Sequence, residues 1–181
     1  MRNWMQRFTR LVRHRWAEGR LHSAVPDNLL ERLARRVAAS EQRHSGEIRI
    51  CVEAGLPMSY IWRDASARER AVSLFGKLRV WDTEHNNGVL IYLLLADHAI
   101  EIIADRGLTR AIAADTWERL VQDMGTAFHD GHYEDGLTHA LSHVTALLHQ
   151  HFATDAGAPI DANGLPDTPV RLRFGRRGPA Q

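Results

Sequence analysis

Residues 82–107, DTEHNNGVLIYLLLADHAIEIIADRG, decide the fold of this chain. A polar loop leads into an apolar strand over 88–95, a short turn follows, and a second strand over 98–104 ends in another acidic loop. The first strand is apolar on both sides, which indicates a central strand covered by helices on both faces. The turn is short enough for a hairpin, so we expect the second strand to run antiparallel to the first.

The elements around this hairpin alternate between strand and helix patterns. The stretch 47–53 alternates apolar and charged residues, which predicts a strand with one buried face. Helical periodicities begin near Asp27, Ser66, Asp115 and Tyr133. The order β-α-β-β-α-α implies a right-handed crossover between the first two strands and an antiparallel partner for the second. We therefore predict an α/β fold, a three-layer α/β/α sandwich with a small mixed, Rossmann-like β-sheet and helices on both faces.

The composition divides the chain into three regions. Residues 1–22 form a basic amphipathic segment with six arginines and one acid, residues 23–152 carry the regular periodicities, and residues 153–181 are rich in Gly, Pro, Ala and Asp. A segment without periodicity and with this composition is typical of a disordered tail. The sequence thus predicts one domain between a basic segment and a mobile C-terminus.

The overall composition argues against several classes of function. A net charge of +1 argues against bulk electrostatic binding of nucleic acid. Cys51 is the one cysteine, so no intramolecular disulfide forms and we expect a buried, inert thiol. The N-terminus lacks the apolar core of a signal peptide, and the longest apolar run is too short to span a bilayer. We expect a cytoplasmic protein, with a peripheral position at the inner membrane as the alternative.

The two acidic loops of the hairpin are the strongest candidate site. The loop that enters the first strand and the loop that leaves the second must lie at the same end of the sheet. Carboxylate and amide oxygens are the ligands that Ca²⁺ and Mg²⁺ prefer. A solvated polar loop, in which the asparagines supply turn geometry, is the competing interpretation. The candidate metal ligands are Asp82, Glu84, Asn86, Asn87 and Asp105.

Three motifs are typical of one known family: Asn86-Asn87-Gly88-Val89-Leu90, Arg106-Gly107-Leu108, and the set Phe128, Gly131, Tyr133, Gly136 and Leu137. They resemble the TPM domain, a family that includes a thylakoid-lumen protein and a photosystem II repair protein. The resemblance covers about residues 25–150 and implies an α/β/α fold. Some members are described as binding divalent cations and some as weak acid phosphatases. The chain departs from the family pattern at Asn86, where other members often have Asp, and this removes one negative charge from the candidate site.

The N-terminal segment predicts a second interaction surface. Its apolar residues share one helical face opposite a basic face, a pattern that suits an anionic membrane surface or the groove of a partner protein. The alternative is that this helix packs on its own sheet, which needs both faces covered. The apolar face consists of Trp4, Met5, Phe8, Leu11, Val12 and Trp16.

These patterns favour an accessory or binding module with a Ca²⁺ or Mg²⁺ site, no organic cofactor and no assigned substrate. No nucleophile, base and orienting group come together in the sequence, so no catalytic residue is assigned. His139 and His143 have zinc-ligand spacing, but they lie off the apolar stripe of their helix and lack the Glu of a zincin motif. A metal-dependent phosphomonoester hydrolase and a peripheral membrane adaptor are the two alternatives.

Overall fold

The computed structural model describes residues 2–154 and 164–173. Within these ranges it describes the backbone but not the side chains at positions 2, 3, 123, 124 and 126–129. The family-motif residue Phe128 therefore lies outside the described side chains. The elements are α1 (Arg2–Ala24), α2 (Asp27–Glu41), β1 (Ile48–Glu53), α3 (Met58–Trp62), α4 (Ala67–Lys77), β2 (Val89–Leu94), a 3₁₀ turn (Leu95–Asp97), β3 (Ala99–Ala104), α5 (Arg106–Ala111), α6 (Ala114–His129), α7 (Tyr133–Phe152) and β4 (Val170–Leu172).

The four described strands form one mixed sheet in the order β3-β2-β1-β4. β1 runs parallel to β2, with Ile48 opposite Val89, and β2 runs antiparallel to β3, with Val89 opposite Ala104. β4 adds to the other side of β1 in a parallel sense. The predicted parallel pairing of β1 with β2 and the predicted hairpin of β2 with β3 are both present, and the mixed α/β sandwich is confirmed.

Helices cover both faces of this sheet and create two hydrophobic cores. One core joins the inward side chains of α2 and α7 to Ile50 and Ile91 on one face of the sheet. The other joins Leu74 of α4 to Leu90 and Tyr92 on the opposite face. All six residues of β2 are buried, as a strand covered on both sides requires.

The prediction that β1 has one buried face was wrong, because all six of its residues are buried. Its charged side chains are held by partners from other elements. The guanidinium of Arg49 donates to the carbonyl oxygen of Pro166, and the carboxylate of Glu53 accepts from Arg70. Alternation of apolar and charged residues indicates a solvated face only where no partner for the charges arrives from elsewhere in the chain.

The strand β4 lies in the region for which the sequence predicted no regular structure. Its three residues pair with Cys51, Val52 and Glu53 of β1, and Leu172 is 5% exposed. The Glu47 carboxylate accepts the backbone N–H of Leu165 just before this strand. Residues 155–163 and 174–181 lie outside the described residues, and for them the predicted mobile tail stays a prediction.

A buried ion pair joins both parallel strands to a helix. Arg70 of α4 donates two hydrogen bonds to Glu53 at the end of β1, at 2.6 and 2.8 Å, and the hydroxyl of Tyr92 in β2 donates a third at 2.7 Å. Glu53, Arg70 and Tyr92 are each 2% exposed or less. Burial and the neighbouring Glu53 carboxylate raise the pKa of Tyr92 well above its ordinary value, so this phenol remains a donor.

We predict that Arg70→Leu lowers the free energy of unfolding by about 3–5 kcal/mol, because it leaves the Glu53 carboxylate buried without its counter-ion. Adding Glu53→Gln to this variant recovers part of the loss, since Gln is uncharged and still accepts from Tyr92. Arg68→Leu is the control, because Arg68 forms an exposed pair with Glu101 at 3.2 Å and such pairs contribute about 0–1 kcal/mol. Urea unfolding measures all three, and equal losses at Arg68 and Arg70 would contradict the assignment.

Candidate functional site

The loops that flank the hairpin meet, as the antiparallel return of β3 requires. The backbone N–H of Gly107 donates to the carbonyl oxygen of Asn86 at 2.8 Å, and that of Asp105 donates to the carbonyl oxygen of Gly88 at 2.9 Å. These two bonds extend the β2–β3 ladder beyond the strands. The acidic loops at 82–88 and 105–107 therefore form one continuous surface at one end of the sheet.

Two glycines make this close approach of the loops sterically feasible. A Cβ atom at Gly88 would lie 1.9 Å from the carbonyl oxygen of Val80, and one at Gly107 would lie 2.5 Å from that of Asn86. Neither glycine has a positive φ, so backbone conformation does not require glycine there. The close approach of other backbone atoms is the reason that both positions need a residue without a Cβ atom. Asn86 itself has a φ of 52°, a left-handed conformation that Asn adopts more readily than most residues.

Asn87 and Asp105 each present a buried oxygen without a hydrogen-bond partner among the described residues. Asn87 is 0% exposed, and its Nδ2 donates to Ser45 Oγ at 3.2 Å while its Oδ1 is unpartnered. Asp105 caps α5 through Oδ1, which accepts from the N–H of Arg106 at 2.6 Å, whereas its Oδ2 is unpartnered. Buried acceptors of this kind are uncommon in folded proteins, and many of them bind an ion or an ordered water molecule.

The other three predicted ligands lie in different environments. Asp82 is exposed and pairs with Arg79 at 2.5 Å, and Glu84 is exposed. The Oδ1 atom of Asn86 accepts a hydrogen bond from Nε of Arg106 at 2.8 Å. Of the five predicted ligands, therefore, Asn87 and Asp105 are the two with buried and unpartnered oxygens among the residues that the structure describes.

The donor set at this surface is poor in charge. Within residues 2–154 and 164–173, no three His, Cys, Asp or Glu side chains come together as a metal-binding group. The available donors are one carboxylate, one amide and the backbone carbonyls of the two loops. Hard oxygen donors of this type fit Ca²⁺ or Mg²⁺, and their low total charge corresponds to weak binding.

The N-terminal helix α1 docks on the body of the protein through a face that the sequence pattern does not predict. His14 is fully buried and its Nδ1 accepts the N–H of Leu56 at 3.0 Å, while Arg10 pairs with Asp64 at 2.8 Å. Leu21 is buried on the same side. Residues 10, 14, 17 and 21 have the spacing of one helical face, which is the sequence pattern that could have predicted the docked side. Two of these four residues are polar, so they do not form an apolar stripe.

Asp97, in the turn of the β2–β3 hairpin, is the main polar anchor for α1. Its carboxylate contacts Arg10, Arg13 and His14 of the helix. Burial alone would raise the pKa of Asp97, but the hydrogen bond from His14 and the charges of Arg13 and Arg10 outweigh it and lower the pKa to about 2. The carboxylate therefore stays ionised at neutral pH and holds the helix.

The predicted apolar face of α1 points away from the protein. Trp4 is 65% exposed, Phe8 55% and Trp16 78%, with Met5 and Val12 exposed between them. Leu11 alone of the predicted face is partly buried, where it packs against the core beside α4. Docking and an exposed apolar surface thus coexist on one helix. Within the described residues, no helix combines the length and the apolar character needed to cross a bilayer.

The molecule is a mixed α/β sandwich in which the two loops of the hairpin form one surface at one end of the sheet. A family model described as the TPM domain matches residues 21–147, so the chain belongs to the TPM domain family. The fold is similar to the NMR structure of the BA42 protein from the psychrophilic bacterium Bizionia argentinensis, with a TM-score of 0.68 and 23% sequence identity over 81% of this chain and 94% of that one. No curated protein matches the chain.

We predict that Gly107→Ala lowers the free energy of unfolding by about 1–3 kcal/mol, because the added methyl group forces apart the two loops. Gly76→Ala in α4 is the matched control: nothing lies within 4 Å of the added Cβ there, and Ala stabilises a helix by about 0.5–1 kcal/mol relative to Gly. Thermal and urea unfolding report both changes. A loss at Gly76 equal to that at Gly107 would show that contact between the loops is not the cause.

Proposed function

We propose that this TPM domain protein is an accessory module that binds a divalent cation, Ca²⁺ or Mg²⁺, between its loops at 82–88 and 105–107. The supporting observation is the pair of buried oxygens without partners among the described residues, Asn87 Oδ1 and Asp105 Oδ2. An unpaired acceptor in a buried position costs free energy that a cation would recover. Asp105 supplies the charge, Asn87 supplies a neutral oxygen, and the cation would join the two loops as an additional cross-link.

The same geometry sets the expected strength of binding. With one carboxylate the site falls at the weak end of oxygen-ligand sites, with a Kd on the order of 10⁻⁴–10⁻³ M. Asn86 contributes no charge, and its side-chain oxygen accepts from Arg106. The alternative of a phosphomonoester hydrolase has less support, because the sequence offers no nucleophile, base and orienting group that can be named for it.

We predict that Ca²⁺ or Mg²⁺ raises the melting temperature of the chelator-treated protein, since a ligand selective for the folded state stabilises it by about 2.7 kcal/mol at roughly 100 times Kd. Asp105→Asn abolishes most of this shift. The variant preserves the helix cap, because Asn and Asp cap equally well, so its effect isolates the charge. Differential scanning fluorimetry over a range of cation concentrations gives the shift and the apparent Kd.

Two further variants sharpen the experiment. Asn87→Asp adds a buried carboxylate, so it lowers the melting temperature without cation and enlarges the shift with cation. Asp115→Asn is the matched control, because Asp115 is an exposed carboxylate in the first turn of α6. Equal shifts in the Asp105→Asn variant and the unmodified protein, or no shift in either, would exclude the cation site.

A second candidate function, a peripheral membrane adaptor, is supported by the exposed apolar face of α1. Trp4, Phe8 and Trp16 project away from the docked side of the helix, and Arg15 and Arg20 lie near them in the sequence. An amphipathic helix with aromatic and basic residues binds in the plane of an anionic bilayer. Each arginine near such a surface contributes about 1 kcal/mol. We propose that α1 carries the protein to a membrane while its other face remains docked.

We predict that the protein sediments with vesicles containing phosphatidylserine and less with pure phosphatidylcholine vesicles. Phe8→Ser combined with Trp16→Ser removes most of this binding, because both side chains are exposed and their loss leaves the docked face intact. Trp81→Ser is the control for an exposed tryptophan outside α1. Point variants are preferable to deletion of residues 1–22, which removes the buried side chains of His14 and Leu21. Equal sedimentation of all three proteins would exclude the adaptor function.

A further inference from the structure

The outer edge of β3 is a further feature of the sheet, distinct from both proposed sites, because it is the unpaired edge of a terminal strand among the strands that the structure describes. β3 is the last strand of the sheet on its side, and within the described residues no strand pairs with its outer edge. Open edges of this kind are normally covered or blocked, because their backbone groups can pair with another chain. The groups that this edge presents, and the side chains around them, therefore indicate what could bind there.

The register of the hairpin fixes the direction of each backbone group in β3. Asp105 donates its N–H to the carbonyl oxygen of Gly88, the residue directly opposite, so this pair is hydrogen-bonded. In an antiparallel ladder such pairs alternate along the strand. Glu101 and Ile103 therefore bond to β2, whereas the N–H and C=O groups of Ile102 and Ala104 point outward. These four groups are arranged to receive a further strand.

A groove of about 540 Å³ runs along this edge. It is lined by residues from both faces of the sheet: Ile102 and Ala104 face the α6 side, and Glu101 and Ile103 face the α4 side. Residues of both faces line one groove only where the groove follows the edge itself. We call it the β3 groove and define it by Arg68, Glu101, Ile102, Ala104, Trp117 and Glu118.

The walls of the β3 groove contain polar groups suited to a peptide. The indole Nε1 of Trp117 on α6 is buried and has no hydrogen-bond partner among the described residues. Buried indole N–H groups normally have an acceptor, and a peptide carbonyl would supply one. Arg68 and Glu101 pair at 3.2 Å across the opposite wall. Glu118 adds an exposed carboxylate, so the three charged residues of the groove sum to −1.

We propose that the β3 groove binds an extended segment of a partner polypeptide by strand addition, with that segment forming a fifth strand beside β3. Hydrogen bonds to the outward groups of Ile102 and Ala104 provide most of the affinity, as in other modes of β-augmentation. Apolar side chains at alternate positions of the peptide pack toward Trp117 on the α6 side. A basic side chain beside Glu118 matches the net charge of the groove.

A partner segment fits this groove better than a second copy of the chain does. Side chains of α4 and α6 stand on either side of the edge, Arg68 on one side and Trp117 and Glu118 on the other. A second copy that paired through its own β3 would bring its own walls into the same space. Its β3 also carries Glu101 as its one charged residue and offers Glu118 no basic side chain. A single extended chain meets neither obstacle.

The test uses a fluorescein-labelled peptide of about eight residues, the upper range of a typical strand, which alternates Val with Thr and Arg. We expect saturable binding by fluorescence polarisation, and protection of the Ile102 and Ala104 amide protons in hydrogen exchange. The same peptide with N-methyl groups on consecutive residues has lost the backbone N–H donors on both of its edges, so it should not bind. Ala104→Pro deletes one outward N–H without removing a bond to β2, and should weaken binding about tenfold, the equivalent of 1.4 kcal/mol.

Two variants keep the test decisive if Ala104→Pro unfolds the protein. Trp117→Phe deletes the indole donor and retains an aromatic ring, and should weaken binding several-fold at an unchanged melting temperature. Glu118→Arg should reverse the charge preference, with weaker binding of the Arg peptide and tighter binding of a Glu version. Glu31→Arg, an exposed charge reversal on α2, is the control and should change neither.

Three results would overturn the proposal. The first is that neither the Arg peptide nor its Glu version binds at about 1 mM, which means a binding free energy weaker than about 4.1 kcal/mol. The second is equal binding of the N-methylated peptide, which would show that the backbone edge is not used. The third is a dimer in the absence of peptide that Ala104→Pro converts to a monomer, which would assign the edge to a second copy of the chain.

Discussion

Burial of the two central parallel strands on both faces is the constraint on which the rest of the structure depends. β1 and β2 have no exposed residue along their lengths, so every backbone group must pair within the sheet and every side chain must be covered by a helix. That requirement explains the helices on both faces of the sheet. It also explains why the sheet continues on one side into β4 and on the other into β3.

The charges of β1 show how such a strand carries polar residues. Glu53 is fully buried and is matched by Arg70 and by the hydroxyl of Tyr92, which come from α4 and β2. Buried ion pairs often contribute no more to stability than apolar side chains of the same volume, but removal of one member leaves an uncompensated charge. Through these hydrogen bonds the Glu53 carboxylate ties α4 and β2 to the end of β1.

The sequence predicted those parts of the molecule that depend on local patterns. The apolar run at 88–95 and the turn after it correctly predicted β2, β3 and the meeting of the two loops, since side-chain periodicity and chain direction suffice for that. It could not predict the partners of Glu53, because Arg70 lies 17 residues away and nothing local marks the pair. The strand at 170–172 was not predicted for the same reason, since its partner β1 lies far away in the sequence. The docked face of α1 was not predicted either, because a local pattern counts His14 as polar although it is buried.

The β2–β3 hairpin connects the three surfaces to which we assign functions. Its turn carries Asp97, which holds α1, its open ends form the paired loops, and its outer strand lines the β3 groove. Ala104, whose backbone faces the groove, directly precedes Asp105, whose carboxylate faces the loops. A strand added beside Ala104 would restrict the peptide unit that positions Asp105, and a cation at Asp105 would restrict Ala104 in turn. Because coupling free energies are reciprocal, each ligand would then change the affinity for the other by the same factor, and the sign of that change depends on whether the two ordered geometries of this peptide unit coincide.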